Sequence, residues 1–311
     1  MATVAAKMRR ALLLLKPLDV YPPRTATSSK VLRYLDDRCR VHKETINHCT
    51  SIIEKRFPQW QLVMRNDLSQ SIRHFDLVIT VGGDGTLLKA SHFIDDSVPV
   101  LGVNSDPTNS LEVEELSQEF DATRSTGYLC AATRANFEQV LDEVLAGKKT
   151  PTELSRVSLK INGAKVPTFA LNDILMAHPC PASVSRFSFR IKKECGETSH
   201  LINCRSSGLR VSTATGSTAA MQSAGGIPMH ISMPDLQYMV REPIMPRELD
   251  IPLMHGFIKP EDRMVISWYS QEGMVYIDGS HVYYKIKHGD EAEVASDAPV
   301  LKVFLPSSLL A

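Results

Sequence analysis

The chain has 311 residues, 43% of them hydrophobic, and its Lys+Arg count of 35 equals its Asp+Glu count of 35. This length and composition allow one large domain or two ordinary ones with true hydrophobic cores. The zero net charge argues against a nucleic-acid-binding protein, which normally carries a basic surplus. No apolar run approaches the length of a transmembrane helix, so we expect no membrane partner.

The six cysteines are scattered and form no CxxC pair, so the sequence predicts neither a zinc site nor a disulfide framework. This usage is typical of a reducing compartment, and we expect a cytoplasmic protein. The terminal Ser308-Leu309-Leu310-Ala311 is not a clear peroxisomal signal, and the sequence alone leaves cytosol and peroxisome open.

The first half of the chain alternates short apolar runs with segments of helical periodicity. Apolar, β-branched runs predict buried strands, and apolar residues three or four apart predict helices. The predicted elements are a strand at Ala11–Leu15, a helix from Ser29, strands at Trp60–Met64 and Leu77–Val81, a helix from Thr86, a strand at Val98–Val103 and a helix at Asn136–Leu145. This order predicts an N-terminal open α/β (Rossmann-like) domain over residues 1–149, with ligands beyond the carboxyl ends of the strands.

One segment of this half resists assignment to the sheet. Ser105–Thr126 is polar and carries four glutamates, so it is interpreted as a solvated excursion on the surface. A polar linker at 147–151 then precedes the second half.

A glycine turn, Gly82-Gly83-Asp84-Gly85, follows the Leu77–Val81 strand directly and leads into a helix at Thr86. Its glycines allow a ligand to approach the backbone, and the free N–H groups at a helix start attract phosphate. The carboxylate of Asp84 would repel that phosphate unless it holds a divalent cation or accepts a proton from an attacking hydroxyl. The alternative is a turn aspartate that bonds its own backbone. The turn matches neither the P-loop pattern nor the GxGxxG fingerprint.

In the second half the apolar period changes to two, which is typical of half-buried strands. The sequence therefore predicts an antiparallel β-rich domain over 150–287, with 288–311 returning to the first domain. Met264–Tyr269 and Met274–Ile277, which flank Gly273, are predicted to form a hairpin, and Asp278-Gly279 to form a turn before a strand at Val282–Ile286.

One segment of the second half is dense in hydroxyls and small residues. Between Gly208 and Gly226, a strand leads into Thr215-Gly216-Ser217-Thr218-Ala219 and then a helix. Small side chains let a flat ligand lie against the backbone while hydroxyls bond its polar edges. The alternative interpretation is a closely packed helix with a hydroxyl N-cap.

Together these segments resemble the NAD kinase family. Its marks are a Gly-Gly-Asp-Gly turn after a strand, an Asn-acidic pair, and a Thr-Gly-Ser-Thr-Ala stretch, which match Gly82–Gly85, Asn172-Asp173 and Thr215–Ala219. Two further segments, Thr126–Leu129 and Ile277–Gly279, resemble the family's Gly-Phe-Leu segment and its later Asp-Gly turn. The resemblance spans nearly the whole chain.

The chain resembles the plant NADH kinase branch of that family more closely, through Gly102–Thr108 and Asn203–Arg210. It departs from the broad family pattern at four positions, which are Asp173 for Glu, Ser207 for Asp, Ala214 for Pro and Ala220 for Tyr. A serine in place of a carboxylate removes an attraction for the cationic ring of NAD⁺. This departure agrees with the preference for NADH that the branch implies.

The resemblance implies an ATP-dependent kinase that phosphorylates the adenosine-ribose 2′-hydroxyl of NADH, and also of NAD⁺, giving NADPH or NADP⁺. It implies that Asp84 is the catalytic base, that Mg²⁺ sits on the ATP phosphates, and that the protein is a homodimer. The residues expected to bind ATP or the dinucleotide are Gly83, Gly85, Thr86, Asn172, Asp173, Ser207, Thr215, Thr218, Ala219, Ala220 and Asp278.

Two alternatives come from other classes of protein. Lipid and sugar kinases also use Gly-Gly-Asp-Gly turns but would lack the Asn172 and Thr215–Ala219 partners. A catalytically idle nucleotide-binding protein is the second alternative, because the expected pocket carries four departures.

Overall fold

The computed structural model describes residues 8–18 and 29–310. The chain divides into two compact units, one of residues 1–152 with 302–311 and the other of residues 153–301. The turn expected at Tyr21-Pro22-Pro23 lies outside the described residues.

The first unit is built around a parallel sheet, as an alternation of apolar strands and amphipathic helices dictates. Its seven strands follow the order β2-β1-β3-β4-β19-β6, with β5 paired to β4. The strands are β1 (Arg10–Leu15), β2 (Gln59–Met64), β3 (Leu77–Gly82), β4 (Val100–Asn104), β5 (Ala132–Thr133), β6 (Thr152–Leu154) and β19 (Leu301–Phe304). The division between the units falls within β6 and β19.

Four helices belong to this unit: α1 (Ser29–Arg56), α2 (Asp84–Ser91), α3 (Ser110–Leu116) and α4 (Phe137–Leu145). Apolar residues of α1 and α4 pack on β1, β3 and β4 in one core cluster. The predicted order of strands and helices through β4 is confirmed, and so is the open α/β class.

The expectation that 105–126 is a surface excursion is only partly right. Glu114, Glu115 and Glu119 are exposed, but Ser105 is 1% exposed and Ala122 2% exposed. The hydroxyl of Tyr34 on α1 donates to the carbonyl of Ala122 at 2.7 Å. The ends of the segment are therefore packed onto the domain, which its polar composition does not reveal.

The second unit consists mainly of two six-stranded sheets whose neighbouring strands pair antiparallel. Sheet 2 follows the order β11-β10-β15-β18-β7-β8, and sheet 3 the order β14-β13-β12-β9-β16-β17. Their strands are β7 (Ser158–Ile161), β8 (Ala164–Lys165), β9 (Asp173–Ala177), β10 (Ser185–Lys192), β11 (Ile202–Ser206), β12 (Gly208–Ser212), β13 (Leu236–Arg241), β14 (His255–Ile258), β15 (Arg263–Trp268), β16 (Glu272–Ile277), β17 (Val282–Lys287) and β18 (Glu291–Ala295). The predicted antiparallel β-rich half is confirmed.

The two sheets share one apolar core, to which residues of every strand except β8 contribute. Phe189 of sheet 2 meets Tyr238 of sheet 3 edge to face, with ring centroids 5.5 Å apart. Two short helices, α5 (Ala214–Ser217) and α6 (Ala220–Ser223), follow β12. The residues of sheet 3 that point away from this core are available for other contacts.

The hairpin predicted around Gly273 is wrong. β15 pairs with β10 and β18 in sheet 2, whereas β16 pairs with β9 and β17 in sheet 3, so the connection crosses between sheets. A Cβ at Gly273 would come within 2.6 Å of the ring nitrogen of Trp268, so the glycine makes room for that ring and does not mark a turn. The Asp278-Gly279 turn does join a hairpin, that of β16 and β17.

The predicted C-terminal segment also starts in a different place. β18, which falls within 288–311, pairs with β15 and β7 in sheet 2, because its alternating Ala292 and Val294 complete that core. The return to the first unit begins at Lys302.

Candidate active site

The glycine turn sits at the carboxyl end of β3, where the sheet order reverses between β1 and β3. Gly83 is extended and precedes α2, and the N–H of Thr86 donates to its carbonyl at 2.9 Å. A Cβ on Gly83 would lie 2.6 Å from the Cβ of Ser125, whereas one on Gly85 would meet nothing closer than Arg65 Nη1 at 3.9 Å. The lack of a side chain at Gly83 therefore lets Ser125 pack against the turn, and Gly85 leaves one side of the turn open.

Asp84 does not bond its own turn, so that interpretation is wrong. Its Oδ2 accepts the backbone N–H of Tyr128 at 2.9 Å, and its Oδ1 accepts that of Leu129 at 2.8 Å. Burial raises the pKa of this carboxyl, and the two amide bonds oppose that rise. Oδ1 also accepts the thiol of Cys130 at 3.8 Å, whereas Oδ2 keeps a further lone-pair direction, so the carboxylate can still accept a proton.

The segment that holds Asp84 is the one resembling the family's Gly-Phe-Leu. Gly127 has a φ of +64°, and a Cβ there would come within 2.8 Å of the Cβ of Asn104. The side-chain nitrogen Nδ2 of Asn104 donates to the backbone carbonyl of Ser125 at 3.2 Å. This contact fixes the loop against β4 and thereby aims the Tyr128 and Leu129 amides at Asp84.

Positive charge and an unused hydroxyl adjoin the same turn. Thr86 is 1% exposed, and its hydroxyl has no hydrogen-bond partner within the described residues. Lys16 follows β1, and its N–H donates to the carbonyl of Val81 at 2.9 Å. Burial lowers the pKa of Lys16, with further lowering from Arg124 and Arg65, partly offset by Asp106. These cations indicate a site for an anion beside the turn.

In the second unit, Asn172 and Asp173 meet the turn at Asp278. The Asp278 carboxylate accepts the N–H groups of Leu171 at 2.8 Å, Asn172 at 2.7 Å and Asp173 at 3.1 Å. The side-chain oxygen Oδ1 of Asn172 is buried and lacks a partner within residues 8–18 and 29–310. Asn172 therefore offers an acceptor, while Asp278 positions the backbone that carries it.

Asp173 forms an ion pair with Arg210 of β12, and each side chain is 12% exposed. Burial raises the pKa of Asp173 to about 6, with a further rise from Asp278, while Arg210 opposes the shift. The effect of burial outweighs that of the guanidinium because the whole pair has left water.

The hydroxyl-rich segment adjoins the same place. Thr213 caps α5 by accepting the N–H of Gly216 at 3.3 Å, and it also donates to the carbonyl of Leu171. Thr215 is buried, Thr218 is half-buried, and Ala219 and Ala220 are exposed. The hydroxyl cap of the second interpretation is present, and the small side chains of Ala219 and Ala220 face solvent.

Ser207 lies apart from this cluster. It precedes β12, whereas Thr213 follows it, and six residues of extended chain span about 20 Å. Its hydroxyl donates to the carbonyl of Arg241 at 3.4 Å. The structure thus gathers Asn172, Asp173, Asp278 and the start of the hydroxyl segment, and leaves Ser207 at the other end of the strand.

Sequence reasoning missed Lys16, Thr213 and Arg210. A lysine directly after a parallel strand is one available signal, because ligands bind at those strand ends. A charged Arg210 between the apolar Leu209 and Val211 is another, since alternation turns it away from the core.

Across residues 8–18 and 29–310 no group of three or more His, Cys, Asp or Glu side chains could hold a metal ion. In the same ranges, no helix has both the length and the apolar character needed to span a bilayer.

The chain combines an open α/β sheet that carries a Gly-Gly-Asp-Gly turn with a β unit of two antiparallel sheets. Residues 2–109 match the ATP-NAD kinase N-terminal domain. The chain is 61% identical to a "Probable NADH kinase" of Oryza sativa subsp. japonica, over 97% of this chain and 98% of that protein. It is 58% identical to an "NADH kinase" of Arabidopsis thaliana, over 96% of each. The chain therefore belongs to the NAD kinase family.

A solved structure shares the fold. Yeast NADH kinase complexed with NADH superposes with a TM-score of 0.66, covering 96% of this chain and 84% of that chain, at 17% sequence identity. The predicted family resemblance is confirmed, and so is the combination of α/β and β-rich parts.

Proposed function

We propose that this protein transfers the γ-phosphate of ATP to the 2′-hydroxyl of the adenosine ribose of NADH, and also of NAD⁺. The products are ADP and NADPH or NADP⁺. The observation that carries the proposal is the half-buried Asp84 carboxylate, which two backbone amides hold within the glycine turn. The relatives named NADH kinase support the same activity.

Asp84 is proposed to take the proton of the 2′-hydroxyl. The ribose oxygen then attacks the γ-phosphorus, the bond to the β-phosphate oxygen breaks, and ADP leaves. A carboxyl whose pKa is raised by burial is a stronger base than an ordinary aspartate, which suits this step. The amides of Tyr128 and Leu129 hold its orientation.

The triphosphate is proposed to lie over Gly83, Gly85 and Thr86. Gly85 leaves an open side at the start of α2, where the helix dipole attracts anions, and the Thr86 hydroxyl has no partner in the described part of the chain. Lys16 adds positive charge next to the turn. Phosphoryl transfer needs mainly alignment and charge neutralisation, which these groups provide.

Mg²⁺ is proposed to arrive on the ATP phosphates. Most ligands of a nucleotide-bound Mg²⁺ are water and phosphate oxygens, so the ion needs few carboxylates from the protein.

The dinucleotide is proposed to bind along Asn172, Asp173 and the hydroxyl segment, with Thr215, Thr218, Ala219 and Ala220 beside it. The unsatisfied oxygen of Asn172 supports this, because a buried acceptor without a partner is costly unless a ligand completes it. Asp278 holds the backbone of Asn172 and Asp173 in place, and Ser207 is proposed to contact the far end of the dinucleotide.

We further propose a homodimer in the cytoplasm. Met245, Leu249 and Ile251 of the second unit are 86%, 84% and 56% exposed, and such a concentration of apolar side chains suits a protein interface. All six cysteines are free thiols, which suits a reducing compartment.

The test is an assay of purified protein with ATP, Mg²⁺ and NADH that measures NADPH. Asp84→Asn keeps the shape but removes the base, and we expect kcat to fall by about 10²- to 10⁴-fold. Asp96→Asn, at an exposed position shortly after α2, is the matched control.

The assay also separates the alternatives. A lipid or sugar kinase, or an idle nucleotide binder, would give no NADPH with the wild-type protein. Near-normal turnover by folded Asp84→Asn would contradict the assignment of the base.

A further inference from the structure

The two oxygens of the Asp84 carboxylate have different surroundings. Oδ1 accepts the Leu129 N–H at 2.8 Å and the Cys130 thiol at 3.8 Å, whereas Oδ2 accepts the Tyr128 N–H at 2.9 Å and no other donor of the described residues. A carboxylate oxygen offers about two lone-pair directions. Oδ1 therefore has both directions occupied, and Oδ2 has one left.

Close packing fixes where the Cys130 thiol points. Cys130 is 8% exposed, and its N–H donates to the carbonyl of Gly127 at 2.9 Å. A Cβ on Gly102 of β4 would lie 3.1 Å from both the Cα and the Sγ of Cys130. The lack of a side chain at Gly102 thus makes room for the thiol, which lies between β4 and Asp84 with little space to turn away.

The Cys130 thiol stays protonated at neutral pH and can therefore act as a donor. Burial raises the pKa of this thiol well above its ordinary value, and the neighbouring Asp84 carboxylate raises it further. Donation from the thiol stabilises the ionised carboxylate, so it lowers the pKa of Asp84 and opposes the effect of burial.

Charged side chains also surround the glycine turn. They are Lys16 after β1, Arg65 after β2, and Asp106 and Arg124 from the segment after β4. These charges act on one another around Lys16, whereas the pKa of Asp84 responds to burial, to two backbone amides and to the thiol. Within the described residues the thiol is the one side chain among those causes, so a substitution can remove it without changing the charge of the site.

We propose that Cys130 is a positioning residue that makes Oδ2 of Asp84 the atom that receives the ribose proton. This role rests on the proposed function. The thiol and the Leu129 amide occupy Oδ1, so the 2′-hydroxyl donates to Oδ2. Its proton moves to that oxygen as the ribose oxygen bonds to the γ-phosphorus, and ADP leaves with the electron pair of the broken bond. The thiol keeps its own proton throughout.

The experiment compares Cys130→Ala and Cys130→Val with the control Cys49→Ala. Both Cys130 variants remove the donor, but alanine leaves space and valine fills it, so an effect that they share comes from the hydrogen bond and not from packing. Cys49 is a fully buried thiol of the same unit. It lies about 10 Å along α1 from His42, whose ring contacts Ser105 at the carboxyl end of β4.

We expect the acid limb of the kcat profile to move up by about half a pH unit in both Cys130 variants, the effect of losing one weak donor to a charged group. The KM values for ATP and NADH should change little, and Cys49→Ala should match the wild type. An acid limb that stays in place in the folded Cys130 variants, or that moves in one of them alone, overturns the inference.

A second readout needs neither turnover nor a Cys130 variant. A thiol that donates a hydrogen bond has a lower S–H stretching frequency than one that does not, and a carboxylate is a stronger acceptor than a neutral amide. The infrared difference between wild type and Asp84→Asn should therefore show an S–H band that moves to higher frequency in the variant. No S–H band in that difference overturns the inference. Absence of NADPH formation by the wild-type protein would instead contradict the proposed function, and the band would still report the thiol contact.

Discussion

The carboxylate of Asp278 holds the backbone of Asn172, accepting its N–H at 2.7 Å. The same carboxylate accepts the N–H groups of Leu171 and Asp173. Asp278 itself adopts a φ of +50°, in the left-handed region. One turn residue between β16 and β17 thus satisfies three amides at the start of β9.

Removing this carboxylate should destabilise the fold. Asp278→Ala leaves three backbone N–H groups without their acceptor. We expect this to lower the free energy of unfolding by about 3 kcal/mol. Asp278→Asn keeps one acceptor oxygen and tolerates the left-handed conformation, so its loss should be about half as large. Urea denaturation measures both. Equal stability of the two variants would contradict the positioning role.

Activity should depend on the ionisation of Asp84. Because burial raises its pKa above the ordinary 3.8, log kcat should fall with unit slope as the pH drops through that raised value. The base acts only when ionised, so the loss lies on the acid side. The pH profile of kcat with saturating ATP and NADH tests this. An acid limb centred at or below 3.8 would disagree.

Asp84→Asn should also change the dependence of stability on pH. The folded-state pKa lies above the unfolded one, so the wild type loses stability as the pH rises through the folded-state value. The asparagine variant does not ionise and should lack that loss. Thermal melts across the acid range provide the measurement.

Gly85→Ala should separate stability from activity. The new methyl meets no atom closer than 3.9 Å, and alanine favours a helix, so stability should rise by about 0.5–1 kcal/mol. The same methyl lies on the open side of the turn, and kcat/KM for ATP should fall about tenfold. Gly83→Ala is the contrasting variant, since its methyl collides with Ser125 and should destabilise the fold. An unchanged kcat/KM for ATP in Gly85→Ala would show that the phosphates do not lie against the open side of the turn at Gly85.

Lys16→Met tests the cationic group beside the turn. Methionine keeps the apolar stem and removes the charge, so KM for ATP should rise about tenfold while KM for NADH changes little. Lys43→Met, at an exposed position on α1, is the control. Steady-state kinetics with each substrate varied in turn distinguish the effects. A parallel rise in both KM values would indicate a structural change instead.

Ser207→Asp should shift the preference toward NAD⁺. The added carboxylate restores an attraction for the cationic nicotinamide ring of NAD⁺ that a serine lacks. The ratio of kcat/KM for NADH and NAD⁺ should fall several-fold, whereas Ser232→Asp, at an exposed site, should leave it unchanged. The same ratio in wild type and Ser207→Asp would show that Ser207 does not influence the preference between NADH and NAD⁺.

The sequence by itself determined the open α/β half, the turn and the family. Apolar strands and helical spacing are local patterns, and Leu77–Val81 followed by three glycines predicts a strand that ends at a ligand-binding turn. The antiparallel character of the second half followed from its period of two. The resemblance identified Asp84, Asn172 and the hydroxyl segment because each forms part of a contiguous motif.

Tertiary structure alone decided how distant residues meet. The amides that hold Asp84 come from Tyr128 and Leu129, 44 and 45 residues away, and the crossing at Gly273 depends on where Trp268 packs. The partner of Arg210 lies 37 residues away on a neighbouring strand. Strand pairing and burial are properties of the whole chain, so no local pattern of residues could specify which of these distant groups meet.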